Sequence, residues 1–430
     1  MAEDVLGAFD ADRPPSAGLI SDCVHCGFCL PSCPTYVLWG EEMDSPRGRI
    51  HLMKQGLEGA PLSEEMVGHV DACLGCLACV TACPSGVQYD KLIDATRSQV
   101  ERRAPRTRQE RMLRTLIFSL FPYPQRLRAL RAPLAAYQLS RADRLIRRLL
   151  RRYFPGTLST LEELTPEIRR APRLPARINA RGQRRAVVGL LTGCVQSAFF
   201  GQVSVATARV LAMEGCEVLV PQRQGCCGAL SKHSGRREEA ARFARATIDA
   251  FDAAGVDYVV TDSAGCGSAM KEYAELLEDD PRYAERAAAF AERTRDVTEL
   301  LVELGPVATR HPVRRVVAYH DACHLSHAQR IRSAPRELLR GIPELTLVEP
   351  VESELCCGSA GVYNLLEPEP ARELGDRKAD RIRDTGADLL VAGNPGCLLQ
   401  ISAALRRAGT PLPSAHTTEL LYASLREPTE

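Results

Sequence analysis

Long apolar runs are missing from this 430-residue chain. A helix that crosses a bilayer needs roughly 20 consecutive apolar residues. "TLIFSLF" at 115–121 falls far short, so only peripheral or partner-mediated membrane attachment is expected. The opening "MAEDVLGAFDADRPP" has neither a signal-peptide apolar stretch nor a twin-arginine pair. That predicts a cytoplasmic chain, where clustered cysteines are there to bind metal rather than to form disulfides. No P-loop and no G-x-G-x-x-G fingerprint occurs, which puts any flavin or nicotinamide feeding this chain on another one. Aromatics are scarce at 5%. Lysine is absent from 101–190, where 22 arginines face six acids, a balance of +16 that leaves −15 for the rest. An all-arginine stripe without interleaved aromatics favours an acidic protein face or anionic lipid over nucleic acid. The remaining composition, 45% hydrophobic and 25% charged, is that of a globular protein with real cores.

Against these absences stand 17 cysteines. "CVHCGFCLPSCP" at 23–34 returns as "CLGCLACVTACP" at 73–84, both reading C-x2-C-x2-C-x3-C-P. Three closely spaced thiols on one loop cap three corners of an iron–sulfur cube, and the fourth ligates the other cluster. One [4Fe–4S] cluster is therefore expected on Cys23, Cys26, Cys29 and Cys83, and a second on Cys73, Cys76, Cys79 and Cys33. A zinc knuckle would need only paired cysteines with a longer gap between pairs. The intervening "EEMDSPRGRIHLMKQGLEG" starts on proline and continues as helix, which predicts an α-helical two-cluster ferredoxin domain over 1–100. His25 reads as a solvent-facing loop residue or a tuning group.

From 101 to 184, "RMLRTLIFSLF" and "ADRLIRRLLRRYF" carry apolar residues at helical spacing, broken at "FPYPQ" and "RYFPG". They predict short amphipathic helices, followed by a Pro- and Arg-rich linker, "TPEIRRAPRLPARINARGQRR". Past 185, β-branched runs alternate with Ala- and Arg-rich helical segments, and this happens twice. Cys194, Cys226, Cys227 and Cys266 match Cys323, Cys356, Cys357 and Cys397 at offsets of 129, 130, 130 and 131. So small a drift marks a duplication, with units over 185–310 and 311–430. In each, a strand ends near the first cysteine and another near the last, where α/β sheets place their chemistry.

Adjacent cysteines on an ordinary strand point to opposite faces. Cys226–Cys227 and Cys356–Cys357 therefore need a sharp bend, which Gly228 and Gly358 would allow. Each half then offers four thiolates from three loops, enough for one further cluster per half; a buried pair, a redox dithiol or a packing remnant are the alternatives. Cys216, matched by Leu345, reads as a small buried hydrophobe. His320, His324 and His327 surround Cys323 and suit either support of that site or core roles.

The stretches "CVHCGFCLPSCPTY", "DSPRGRIHLMKQGLEG", "CLGCLACVTACPSGV", "GCCGA", "DSAGCGSAMKEY", "SHAQ" and "CCGSAGVYNL" together resemble the iron–sulfur subunit of glycolate oxidase (glycolate dehydrogenase) over nearly the whole chain. The resemblance implies an α+β multidomain protein, an α-helical ferredoxin domain followed by two α/β cysteine-rich (CCG) domains. It also implies an electron-transfer subunit of an oxidoreductase with no catalytic residue of its own. A flavin-carrying partner, holding FAD, would oxidise glycolate to glyoxylate and pass electrons here, toward a quinone at the inner face of the cytoplasmic membrane. The eight ferredoxin cysteines carry over residue by residue.

The downstream halves are also similar to heterodisulfide reductase, lactate-utilisation proteins and the anaerobic glycerol-3-phosphate dehydrogenase iron–sulfur subunit. A lactate or glycerol-3-phosphate complex, or a thiol/disulfide oxidoreductase, is thus the alternative. Heterodisulfide reductase carries a fifth cysteine in the motif, and this chain has Ala269 and Gln400 there.

Overall fold

The computed structural model describes residues 7–140, 142–153, 156–168 and 172–425. Residues 1–6 of the opening segment, 154–155 in the "RYFPG" break and 169–171 of the linker lie outside that description. The N-terminal part is helical throughout. Ser45 caps the helix Pro46–Leu57 by accepting from the Gly48 N–H, and proline fills the first turn, where no N–H is required. Ser63 caps Glu64–Ala72 in the same way. These helices and Tyr89–Arg103 bury Ile50, Met53, Val70, Leu92 and Ile93 together with Cys73 and Cys79. At ~1.5–3 kcal/mol per large aliphatic side chain, this packing holds the cysteine loops in place.

Five helices follow: Arg108–Leu120, Pro124–Ala129, Arg131–Leu139, Ala142–Tyr153 and Thr157–Glu163. A Thr107/Glu110 capping box starts the first, and Pro124 restarts the chain after the "FPYPQ" break. Ile117 and Phe118 pack against Val362 and Leu365, so this layer is fastened to the C-terminal half.

Strands β1 (Arg177–Ile178), β2 (Ala186–Leu190), β3 (Cys216–Leu219), β4 (Tyr258–Thr261) and β5 (Thr294–Asp296) form one sheet ordered β1-β3-β2-β4-β5. It is parallel except for β1, which runs antiparallel to β3 with Arg177 opposite Leu219. Strands β6 (Arg315–His320), β7 (Leu345–Val348), β8 (Leu389–Ala392) and β9 (Ser414–His416) form a parallel sheet ordered β7-β6-β8-β9. With β1 set aside the two orders coincide. β1 lies in the stretch read as linker, and a two-residue edge strand carries no usable periodicity.

The halves are clasped reciprocally. Gly201–Met213 of the first packs on Thr417–Ser424 of the second, and Val297–Leu304 of the first packs on Ser333–Arg340 of the second. This exchange is that of an approximate two-fold axis. Val188, Leu190, Val218 and Val260 share one core with Val317, Tyr319 and Val391, and Thr207 Oγ1 donates to Thr418 Oγ1 at 2.9 Å. The cysteine loops of both halves consequently open on the same side.

Candidate iron–sulfur sites

The two ferredoxin loops differ in burial. In the first, Cys26 is exposed, Cys23 and Cys29 are half-buried, and Val24 and Phe28 are each 68% exposed. His25 is exposed with φ +53°. Cys33, Cys73, Cys76 and Cys79 are buried, while Cys83 is half-buried. Burial pushes the Cys29 thiol up to about 11. Burial first, then the neighbouring thiols, pushes Cys76 and Cys79 well above the usual range; for Cys76 the leading neighbour is Cys323. Such crowded thiols need positive charge to ionise together, which is the condition an iron–sulfur cluster meets.

Arg49, from the Pro-started helix, is buried beneath the second set. It donates to the His69 carbonyl at 2.5 Å, the Asp44 carbonyl at 2.6 Å and the Asp44 carboxylate at 3.2 Å, and its Nη1 lies 4.0 Å from Cys33 Sγ. Burial opposes its charge, but Cys73, Tyr89, Cys33 and Asp44 outweigh burial and keep it protonated. Tyr89 OH lies 3.6 Å from Cys73 Sγ, and the Gly75 N–H donates to that sulfur at 3.4 Å.

The vicinal cysteines bend as their glycines require. Gly228 and Gly358 both have φ +85°, and a Cβ on Gly358 would lie 2.5 Å from the Ala371 carbonyl oxygen. In the first half Cys194 Sγ is 3.6 Å from Cys226 Sγ, and Cys227 contacts both Cys226 and Cys266. Cys194, then burial, pushes Cys226 up, while Cys227, then burial, does the same to Cys266. In the second half Cys356 contacts Cys323 and Cys357, and Cys357 contacts Cys397 and His320. The ligating atoms of His320, Cys357 and Cys397 lie within 4.8 Å of one another, and all three residues are buried. Asn394 donates to Cys397 Sγ at 3.4 Å. Each set of four thiols thus converges without a disulfide, a donor set suited to iron.

The three histidines diverge in role. His320 joins the thiols, His324 Nδ1 lies 3.8 Å from Cys323 Sγ, and His327 Nδ1 bonds Thr81 Oγ1 at 2.7 Å across to the ferredoxin domain. At the 129-residue offset the first half has Leu191, Val195 and Ala198 instead. Cys216 is a core residue of β3. Gln400 is tied to Asn364 and the Ala371 carbonyl, at 3.1 and 2.7 Å. Ala269 is buried. Arg49, Tyr89, Asn394 and His233, whose ring meets that of His324 at 4.6 Å between centroids and a 37° tilt, escaped the sequence reading. Arg49, in "SPRGRIHLM", and Asn394, in "LLVAGNPG", lay in stretches the sequence singles out for other reasons.

Residues 19–87 match the family described as "4Fe-4S dicluster domain", residues 188–271 and 317–402 match "Cysteine-rich domain", and 109–165 match "Glycolate oxidase iron-sulfur subunit, linker region". The probable glycolate oxidase iron-sulfur subunit of Bacillus subtilis is 37% identical over 94% of each chain. This chain belongs to the glycolate oxidase iron–sulfur subunit family. The Escherichia coli glycolate oxidase iron-sulfur subunit is 36% identical over 90% of this chain and 91% of its own. Lactate utilization protein A of an Exiguobacterium strain is 32% identical over 98% of its length but only 56% of this chain, so that alternative accounts for it in part. A hypothetical protein from Helicobacter pylori shares the fold at a TM-score of 0.54 and 11% identity, covering 89% of this chain and 67% of that one. As a family member this iron–sulfur subunit serves electron transfer in an oxidoreductase. Among its described residues no helix is long and apolar enough to cross a membrane.

Proposed function

We propose that this subunit accepts electrons from a flavin-carrying partner that oxidises glycolate to glyoxylate, and delivers them to a quinone at a membrane surface. Cys23, Cys26, Cys29 and Cys83 would hold one [4Fe–4S] cluster and Cys73, Cys76, Cys79 and Cys33 the other. Cys194, Cys226, Cys227 and Cys266, and Cys323, Cys356, Cys357 and Cys397, would hold further ones. When bound, such clusters supply one-electron carriers between a two-electron donor and a two-electron acceptor.

One observation carries the reading: the thiol sites are arranged from outside to inside. Cys26 meets solvent between exposed Val24 and Phe28, which suits a docked flavin protein. The second ferredoxin set is buried, and its Cys76 and Leu74 share a packed cluster with Cys323, Cys356 and Tyr363 of the second half. Thr81 and His327 pin that junction. The chain's own residues shield the interior sites from water, and Arg49 offsets thiolate charge there. The arginine-rich helices, with exposed Met112, Leu116 and Leu139, support a peripheral membrane surface.

The test is the subunit purified anaerobically with its flavin partner and titrated with glycolate, iron being counted and Mössbauer spectra taken before and after. About eight irons per chain would confine the chemistry to the ferredoxin domain. Twelve to sixteen, at roughly four per cluster, would extend it into the C-terminal halves. Iron that glycolate leaves oxidised, but lactate or glycerol 3-phosphate reduces, would move the subunit to another dehydrogenase.

A further inference from the structure

We propose that the cavity between the linker helices and the two C-terminal cysteine sites binds the ring of a lipophilic quinone, which enters through a mouth formed by Leu116, Leu130, Ile146 and Leu158. The cavity measures about 720 Å³, within the ~300–1,000 Å³ range of small-molecule sites; clusters held by the cysteines of its floor would share that volume, so the ring takes the part beneath the helix roof. Its floor carries all eight cysteines of the two halves, and its roof is leucine and isoleucine from the helix layer, including Leu113, Ile117, Leu134 and Leu161. One chamber therefore touches both sites, as the clasped arrangement of the halves requires.

Polar groups are few and lie on the same walls. The His233 and His324 rings touch at a 37° tilt, and each keeps a buried Nε2 without a partner; Gln196 Oε1 is likewise buried and unpaired. A buried polar atom left unmatched is destabilising, and a bound carbonyl or hydroxyl would supply the missing partner. An apolar chamber with a few unmatched hydrogen-bonding atoms fits a ring bearing two carbonyl oxygens and a hydrocarbon tail. A charged or strongly polar substrate would lose its hydration to leucine.

The mouth supports the same ligand. Leu116, Leu130, Ile146 and Leu158 line the cavity and yet are 58%, 37%, 38% and 55% exposed. Leu116 shares the helix Arg108–Leu120 with exposed Arg108 and Arg111, and Leu130 directly follows Pro124–Ala129, which presents exposed Arg128. Apolar residues rimmed by arginine suit the headgroup level of an anionic bilayer, so a tail can remain in lipid while the ring enters. The electrons balance without another reagent. Oxidation of a 2-hydroxy acid to the 2-oxo acid releases two electrons and two protons, and reduction of a quinone to the hydroquinone takes up two of each.

This placement rests on the proposed function, and its test separates the two. Irradiation of an azidoquinone with the purified flavin and iron–sulfur complex in detergent is expected to label the helix layer at the cavity, with decylubiquinone competing the label away. Leu134→Trp and Leu161→Trp each put an indole into the chamber. Both are expected to weaken decylubiquinone binding about tenfold or more, with iron content and glycolate-dependent ferricyanide reduction retained. Label confined to other surfaces, or unchanged binding in both variants at full iron content, overturns the proposal. Competition by a small disulfide but not by decylubiquinone also overturns it, in favour of thiol chemistry. If glycolate reduces no iron while labelling and binding stand, the substrate reading fails and the cavity assignment survives. Should both variants lose iron, labelling of the unaltered complex decides.

Discussion

Lys232→Met tests how the ferredoxin domain is held to the first C-terminal half. The ammonium bridges Asp94, on the helix Tyr89–Arg103, and Glu272, at the end of Ala264–Lys271. Its side chain is 15% exposed, against 28% and 29% for the two carboxylates. Burial works against the lysine's charge, yet Asp94 and Glu272 override burial and hold it well above the usual lysine value. Breaking a fully buried ion pair costs ~3–5 kcal/mol because a charge is left unpaired. The carboxylates here keep some water, so ~2–3 kcal/mol is the expected loss. At ~1.4 kcal/mol per decade, amide exchange in Tyr89–Arg103 and Ala229–His233 should accelerate roughly 30- to 150-fold. Hydrogen exchange read by mass spectrometry on the iron-loaded protein measures this locally, where a global melt of a multidomain cofactor protein would not. The triple variant Lys232→Met, Asp94→Asn, Glu272→Gln should recover most of the protection. Exchange unchanged in the single variant would refute the electrostatic account, and a triple variant as fast as the single one would reassign the effect to the lysine stem.

Three further outcomes are expected. Gly358→Ala forces a Cβ to 2.5 Å from the Ala371 oxygen at φ +85°, whereas Gly228→Ala meets the Ala240 oxygen at 3.0 Å; with ~1–3 kcal/mol for overpacking and ~1–2 for the left-handed backbone, iron per chain should fall more in the former. Burial pushes the Asp296 carboxyl up to about 6, so the folded chain holds this proton more tightly than the unfolded one. The stability it supplies is full below the unfolded value, is lost as pH rises through 6, and amounts to ~3 kcal/mol at most; amide protection of Val297–Leu304, corrected for intrinsic exchange rates, should therefore depend less on pH between 4 and 7 in Asp296→Asn. Val24→Ser with Phe28→Ser should weaken capture of the flavin partner about tenfold at constant iron, as measured by surface plasmon resonance.

The ferredoxin loops, the duplication and the bend at each Cys-Cys-Gly were legible because each is written in local spacing: thiols two and three residues apart, a repeated interval, a glycine after the pair. What was hidden depends on tertiary placement. His233 and His324 come from different halves, and nothing in "SKHSG" signals that its ring will meet another histidine beneath a cavity roof. The helical spacing of "RMLRTLIFSLF" and "ADRLIRRLLRRYF" revealed helices but not what their apolar sides cover. Arg49 reads as one more basic residue until Asp44 and three carbonyl or hydroxyl oxygens are found around it. β1 gains its identity only from the free edge of β3.

The reciprocal clasp of the two halves bears on how such a chain could arise. A single unit with this surface would expose the faces of the two helices now buried in the exchange, and could cover both by pairing with its own copy. Joining two copies in one chain removes the requirement that they stay alike. The ancestor of each half would then have met an identical twin across a symmetric chamber. In the present chain one side carries His320, His324 and His327 beside the ferredoxin domain, and the other carries Leu191, Val195 and Ala198 at those places. The chamber thereby has a front and a back.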